Sequence, residues 1–221
     1  MKLVTYSNAG NTRLGAMLDD KTIVDLNRAS GGNLPANMLS FLNAGAEAMA
    51  AAKTAIDAAR AAGAAGASAT GVIFSLDVPG TRLEAPVPQP GKVLAIGLNY
   101  RDHAEETNAE IPKRPVVFAK MPTCITSTGA PVHLPKVSSA LDWEGELCFV
   151  IGKRGRHIAP ADAKSFVAGF CNGNDHRFSV DTETGTLYRA HDRPLRMWLC
   201  VVQRANAQRI AAGRCMLTFP I

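Results

Sequence analysis

The chain opens on short alternations of apolar and polar positions, the period-two pattern of strands. Lys2–Tyr6 alternates, Leu14–Leu18 is apolar, and Asp19-Asp20-Lys21 reads as a turn into Thr22–Leu26. The period then lengthens. Met38, Leu39, Phe41 and Leu42 make an apolar helical face, Pro35 sits near its start, and Gly45 marks a weak point or a break. An Ala-rich helix follows from Ala46 to about Ala62, expected to face solvent, and Gly63, Gly66 and Gly71 interrupt it. Four prolines and a glycine in VIFSLDVPGTRLEAPVPQP deny residues 72–90 any long regular element.

A second unit begins at Gly91. Lys92–Ile96 has the pattern of a buried strand and ends at Gly97-Leu98-Asn99-Tyr100, which gives way to a short helix over Asp102–Thr107. Val116–Ala119 and Asp142–Ile151 read as further strands, and Pro160–Phe170 as a helix. The pattern thus divides the chain into a small leading domain (residues 1–72), a connector (73–90), a second domain (91–175) and an atypical tail (176–221).

Composition narrows the function classes. Hydrophobic residues make up 47% of 221 residues and charged residues 19%, ordinary values for a globular protein. No apolar run is long enough to span a membrane, and the first ten residues lack the apolar core of a signal peptide, so a cytoplasmic location is expected. The five cysteines form no C-x-x-C pair. The net charge of +5 is a property of the tail, where seven arginines face three acids. The preceding residues carry no basic stripe interleaved with aromatics, which speaks against nucleic acid.

Three segments could carry chemistry. In Asp142-Trp143-Glu144-Gly145-Glu146, strand alternation puts Asp142, Glu144 and Glu146 on one face. Like charges there need compensation, and a hard divalent cation supplies it; the alternative is a solvated edge strand. Gly145 leaves the opposite face open to close backbone approach. In Arg101-Asp102-His103-Ala104-Glu105-Glu106, His103 and Glu106 stand at i and i+3. This spacing suits a carboxylate-oriented general base, or a plain surface histidine. Asp175 in Gly173-Asn174-Asp175 offers a third oxygen ligand, or an ordinary turn.

Taken in order, Gly97-Leu-Asn-Tyr-Arg-Asp-His103, Pro115-Val-Val-Phe-Ala-Lys120, Asp142-Trp-Glu-Gly-Glu146 and Gly173-Asn-Asp175 resemble the fumarylacetoacetate hydrolase superfamily. The likeness is greatest to its bacterial acylpyruvate hydrolase, oxaloacetate decarboxylase and hydroxymuconate isomerase branch, and it is strongest from Gly91 onward. The resemblance implies an α+β, mainly β fold, with a mixed β-sandwich or β-roll catalytic domain preceded by a small β-rich N-terminal domain. It also implies a Mg²⁺ or Mn²⁺ ion held by Glu144, Glu146 and Asp175, with His103 and Glu106 on a mobile lid helix activating water. Arg101 and Lys120 would lie near the substrate's carboxylate. A further metal-binding aspartate of the eponymous enzyme falls at Ile96 here, which favours the three-ligand branch. The implied activity is C–C bond hydrolysis, decarboxylation or isomerisation of a 2-oxo acid or acylpyruvate through a metal-bound enolate, in a homodimer. The alternative is a non-catalytic module that binds a divalent metal or a partner.

The resemblance stops after Asp175. The family's Ser-Ala-Arg-Asp-like run, its Lys-containing segment and its closing strands find no counterpart in residues 176–221. A shift of reading frame within or just after codon 175, followed by a premature stop, is the expectation; a divergent natural terminus is the alternative. The frameshift would leave the catalytic domain incomplete, the chain poorly ordered beyond about residue 175, and the catalytic activity in doubt.

Overall fold

A computed structural model describes residues 1–68, 71–133, 140–179, 197–198 and 217–218. The first three strands are β1 (Lys2–Asn8), β2 (Asn11–Met17) and β3 (Thr22–Asp25), followed by the short helix α1 (Leu26–Ala29). Then come α2 (Met38–Asn43), α3 (Gly45–Ser68), β4 (Ile73–Ser75) and β5 (Thr81–Leu83). β6 (Val93–Gly97), α4 (Arg101–Glu106), β7 (Val116–Lys120) and β8 (Ile125–Thr126) lead to two long strands, β9 (Ala140–Ile151) and β10 (Val167–Ser179). The two-residue strands β11 (Met197–Trp198) and β12 (Leu217–Thr218) complete the described set. Among the described residues the molecule is mainly β, as the resemblance implies.

β1 and β2 form a hairpin in register from Asn8↔Asn11 to Leu3↔Ala16. Ala9 (φ 47°) and Gly10 (φ 82°) occupy its two-residue turn, the left-handed conformation that matches the strand twist. β3 and β4 extend this sheet beyond β2, and β5 pairs with β1. The two short strands inside the Pro-rich connector are additions to the sequence reading. Their three-residue length fits its prolines.

The core lies between the β1–β2–β3 sheet and the helices. Gly45 (φ 72°) separates α2 from α3, the left-handed break that ends a helix. The Ala-rich helix is not simply solvent-facing. Ala48, Ala52, Ala55, Ile56 and Ala59 are buried at helical spacing and pack with Leu3, Leu14, Val24 and Phe41. Alanine lets helix and sheet approach closely, and composition alone does not reveal that.

The expected helix over Pro160–Phe170 is also corrected. A single tight 3₁₀ turn covers Ala163–Phe166, and Val167 already begins β10. Asp162 at the turn's start makes no side-chain cap, and strand pairing with β9 takes over the backbone. The β9–β10 pair runs from Val167↔Ile151 to Ser179↔Ala140, with one irregularity near Val167. One of its faces joins the core described above: Cys171 is buried there, with Cys148, Val150 and Ala168 packed alongside. The opposite face carries exposed apolar side chains at Trp143, Leu147, Phe149 and Ile151.

Candidate functional site

The face of β9–β10 that enters the core changes character along its length. Antiparallel register sets Cys148 opposite Cys171, then Glu146 opposite Gly173, then Glu144 opposite Asp175. Directly paired side chains stand about 5 Å apart at Cβ. The strands therefore bring Glu144, Glu146 and Asp175 onto one surface; strand spacing predicts this for Glu144 and Glu146, and the register with β10 adds Asp175. Asp175 lies inside a strand, not a turn, because β10 continues through it to Ser179. Asp142 pairs in register with Arg177. Among the described residues, a Cβ at Gly145 would meet nothing within 4 Å.

The electrostatics carry the mark of crowded negative charge. Burial pushes the Glu146 carboxyl above its ordinary value. The charges of Glu144 and Asp175 push it further, while Lys120 and His103 pull it back. Lys120, the last residue of β7, places its ammonium on Asp175 Oδ2 in an ion pair that is mostly shielded from solvent. The same ammonium lies 5.3 Å from the centroid of the Phe118 ring.

Helix α4 brings its histidine into the electrostatic neighbourhood of Glu146. Ala104 is the one buried residue of α4, and His103 is half-buried. Glu106 and Arg101 are exposed. The structure thus gathers Glu144, Glu146, Asp175, Lys120 and His103, and leaves Glu106 and Arg101 at the rim.

Two residues near the site were not singled out in sequence. Tyr100, at the N-cap of α4, lies by the Leu147 backbone. Its phenol is pushed up by burial and by the charge of Glu146. Cys124 sits in the field of Lys120 and Asp175, and burial raises its thiol. Tyr100 stands inside the quoted Asn-Tyr-Arg-Asp-His run, so a signal was present. Nothing in sequence marks Cys124, whose position follows from the turn over Pro122–Cys124.

The donor set is all carboxylate oxygen, which suits a hard cation such as Mg²⁺ or Mn²⁺. Among the described residues, however, no three His, Cys, Asp or Glu side chains converge tightly enough to hold an ion. The donors match the ion in type and share a face, with Lys120 bound where an ion would need Asp175.

Comparison with known proteins decides the family. Residues 92–184 match the fumarylacetoacetate hydrolase C-terminal family. The mitochondrial oxaloacetate tautomerase fahd2 of Xenopus laevis is 36% identical over 178 residues, which cover 79% of this chain and 51% of that protein. The chain belongs to the fumarylacetoacetate hydrolase superfamily. The human mitochondrial oxaloacetate tautomerase FAHD2A is 46% identical over 91 residues, 41% of this chain and 29% of that protein. The chain therefore spans about half the length of the first of these relatives. Both relatives are named as enzymes.

Solved structures agree on the superfamily fold. The maleylpyruvate hydrolase of Sphingobium sp. SYK-6, solved with manganese(II) and pyruvate, superposes with a TM-score of 0.61 at 22% identity. That alignment covers 92% of this chain and 67% of that one. The 5-carboxymethyl-2-hydroxymuconate delta-isomerase of Mycobacterium smegmatis gives 0.58 at 23%, with the same coverage of each chain. The superfamily match and β10 both continue past Asp175, where the sequence reading ended the likeness. Residues 180–196, 199–216 and 219–221, most of the segment expected to be out of frame, lie outside the described residues.

Proposed function

We propose that this superfamily member acts on a 2-oxo acid with the help of a divalent cation, and that keto–enol tautomerisation of oxaloacetate is its reaction. The observation that carries the reading is the register of β9 and β10. It pairs Glu144 with Asp175 and sets Glu146 beside them on one face, next to His103 of α4. The names of the 36%- and 46%-identical relatives support oxaloacetate as the substrate.

Glu144, Glu146 and Asp175 would hold Mg²⁺ or Mn²⁺, which supplies Lewis-acid polarisation of the keto group when bound. The chain's own residues do the rest. In the keto-to-enol direction the His103 imidazole takes a proton from the carbon beside the keto group. The electron pair of that C–H bond moves into the carbon–carbon bond, the keto oxygen gains a proton from solvent, and the imidazolium returns its own proton to solvent. Glu106, one turn along the helix, orients the imidazole. Arg101 and Lys120 are the cations available to the substrate's carboxylates. In hydrolysis of an acylpyruvate His103 would instead take its proton from water, whose oxygen adds to the neighbouring acyl carbonyl; the bond from that carbon to the pyruvate CH2 then breaks, and the CH2 carbon takes up a proton. The homodimer implied by the superfamily resemblance belongs to this reading as well.

The test follows the loss of enol absorbance of oxaloacetate with Mn²⁺ and with a chelator. Chelation and Glu146→Gln should each abolish the catalysed rate. His103→Ala should lower kcat by about 10²–10⁴-fold. Turnover that survives both chelation and Glu146→Gln would overturn the reading.

A further inference from the structure

The carboxylate face already holds a cation, and it is part of the chain. Lys120 reaches from the end of β7 to Asp175 Oδ2, with side-chain exposures of 18% and 15% for the two partners. Glu146 and Glu144 stand on the same face, and the Lys120 charge opposes the upward push that the neighbouring carboxylates exert on Glu146. With all three acids ionised, one ammonium leaves two negative charges uncompensated, and a divalent cation neutralises those two. A carboxylate cluster is costly to shield from water without such compensation. Asp175 is the group both cations need.

We propose that Lys120 is the resident counter-ion of this face. It holds Asp175 until a divalent cation takes that carboxylate, and the ammonium it frees then meets the carboxylate of an incoming oxo acid. The inference rests on the functional reading above and deepens it: metal loading and substrate capture become one linked exchange. The freed ammonium has a second place to rest, since the Phe118 ring face lies 5.3 Å from it. The exchange moves no covalent bond. One ion pair is replaced by metal coordination and another forms with substrate, so the ordering of the two events follows from charge alone. Substrate finds a free cation only after metal is in place.

The experiment measures Lys120 directly. The full chain is acylated briefly with an N-hydroxysuccinimide acetate, and modification of Lys120 is read by mass spectrometry. It is read without metal, with Mn²⁺, and with Mn²⁺ plus pyruvate. Modification should be low without metal, rise several-fold with Mn²⁺, and fall again with pyruvate. Mn²⁺ affinity is measured alongside by electron paramagnetic resonance. Lys120→Met should bind Mn²⁺ about tenfold more tightly, the competitor having gone. Lys120→Arg should bind it more weakly than the wild type, because a planar guanidinium grips a carboxylate through two hydrogen bonds. Equal affinity for the Lys and Arg forms would mean simple through-space repulsion and would overturn the exchange, as would Lys120 labelling indifferent to Mn²⁺. If Mn²⁺ binds and Glu146→Gln abolishes it while labelling stays flat, only this inference falls. If the wild type binds no Mn²⁺, the functional reading falls with it.

Discussion

Two acids in this molecule, one buried and one half-buried, are shifted in opposite directions. Asp25, at the end of β3, has no solvent exposure. Burial pushes its carboxyl up, yet it lies below the usual range because donors surround it: Arg13 Nε at 2.5 Å, the Arg28 backbone N–H at 2.9 Å and the Tyr6 hydroxyl at 2.7 Å. Arg13 reaches on to Asn27, which in turn donates to the Leu34 carbonyl. Glu146 is pushed up by burial as well, but its neighbours are Glu144 and Asp175, and they add to the push. One carboxylate sits in a closed network and caps α1. The other sits in a set that needs a cation. Burial does not separate a structural charge from a site charge, whereas the sign of the neighbouring charges does.

The largest expected effect lies in the closed network. Asp25→Ala leaves the Tyr6 hydroxyl and the Arg13 guanidinium without their shared partner and removes the α1 cap. Loss of one member of a buried, hydrogen-bonded pair costs about 3–5 kcal/mol. Urea titration should show a loss of that size, and a change below about 1 kcal/mol would mean that the network is not holding β1, β2 and β3 together. At the open set the metal should act instead. Mn²⁺ at a hundredfold excess over its dissociation constant should stabilise the protein by about 2.7 kcal/mol. Calorimetry should find that gain absent in Glu146→Gln.

The smallest effect is the most diagnostic. Without metal, Glu146→Gln should stabilise the protein by about 1 kcal/mol, since it removes a crowded charge from a functional face. The pH dependence gives the same contrast with signs attached. Asp25, lowered from 3.8, contributes stability that is present above that value and is lost as pH falls through its folded-state value. Glu146, raised from 4.5, binds its proton more tightly when folded, so stability falls as pH rises from 4.5 through its folded-state value. Denaturant midpoints across the acid range should therefore show opposing slopes. Glu146→Gln should remove the falling one, and Asp25→Asn the rising one. A metal-free protein whose stability keeps rising above pH 4.5 in both forms would contradict the crowded-charge account.

Local patterns carried far in this chain. The strand over Lys2–Tyr6, the glycine break at Gly45 and the long strand through Glu144 and Glu146 are written in residue order, because each depends on near neighbours. The Asn-Tyr-Arg-Asp-His run, Lys120, the Glu-Gly-Glu triplet and Asp175 were enough to point to the superfamily that comparison established. The helix read over Pro160–Phe170 shrank to one 3₁₀ turn because from Val167 the backbone pairs with the preceding strand, β9, and strand pairing outweighed local propensity there.

By itself the sequence determined which residues share a strand face and which share a helix turn, since backbone periods of two and 3.6 allow little else. Only the tertiary structure decided that Glu144 stands opposite Asp175, and that α3 is an inward-facing helix. It also decided that Lys120 takes Asp175 as its partner and that Tyr100 and Cys124 border the site. These are choices of register and of charge pairing between segments far apart in the chain. They follow from the energy of bringing particular surfaces together, which no local pattern encodes.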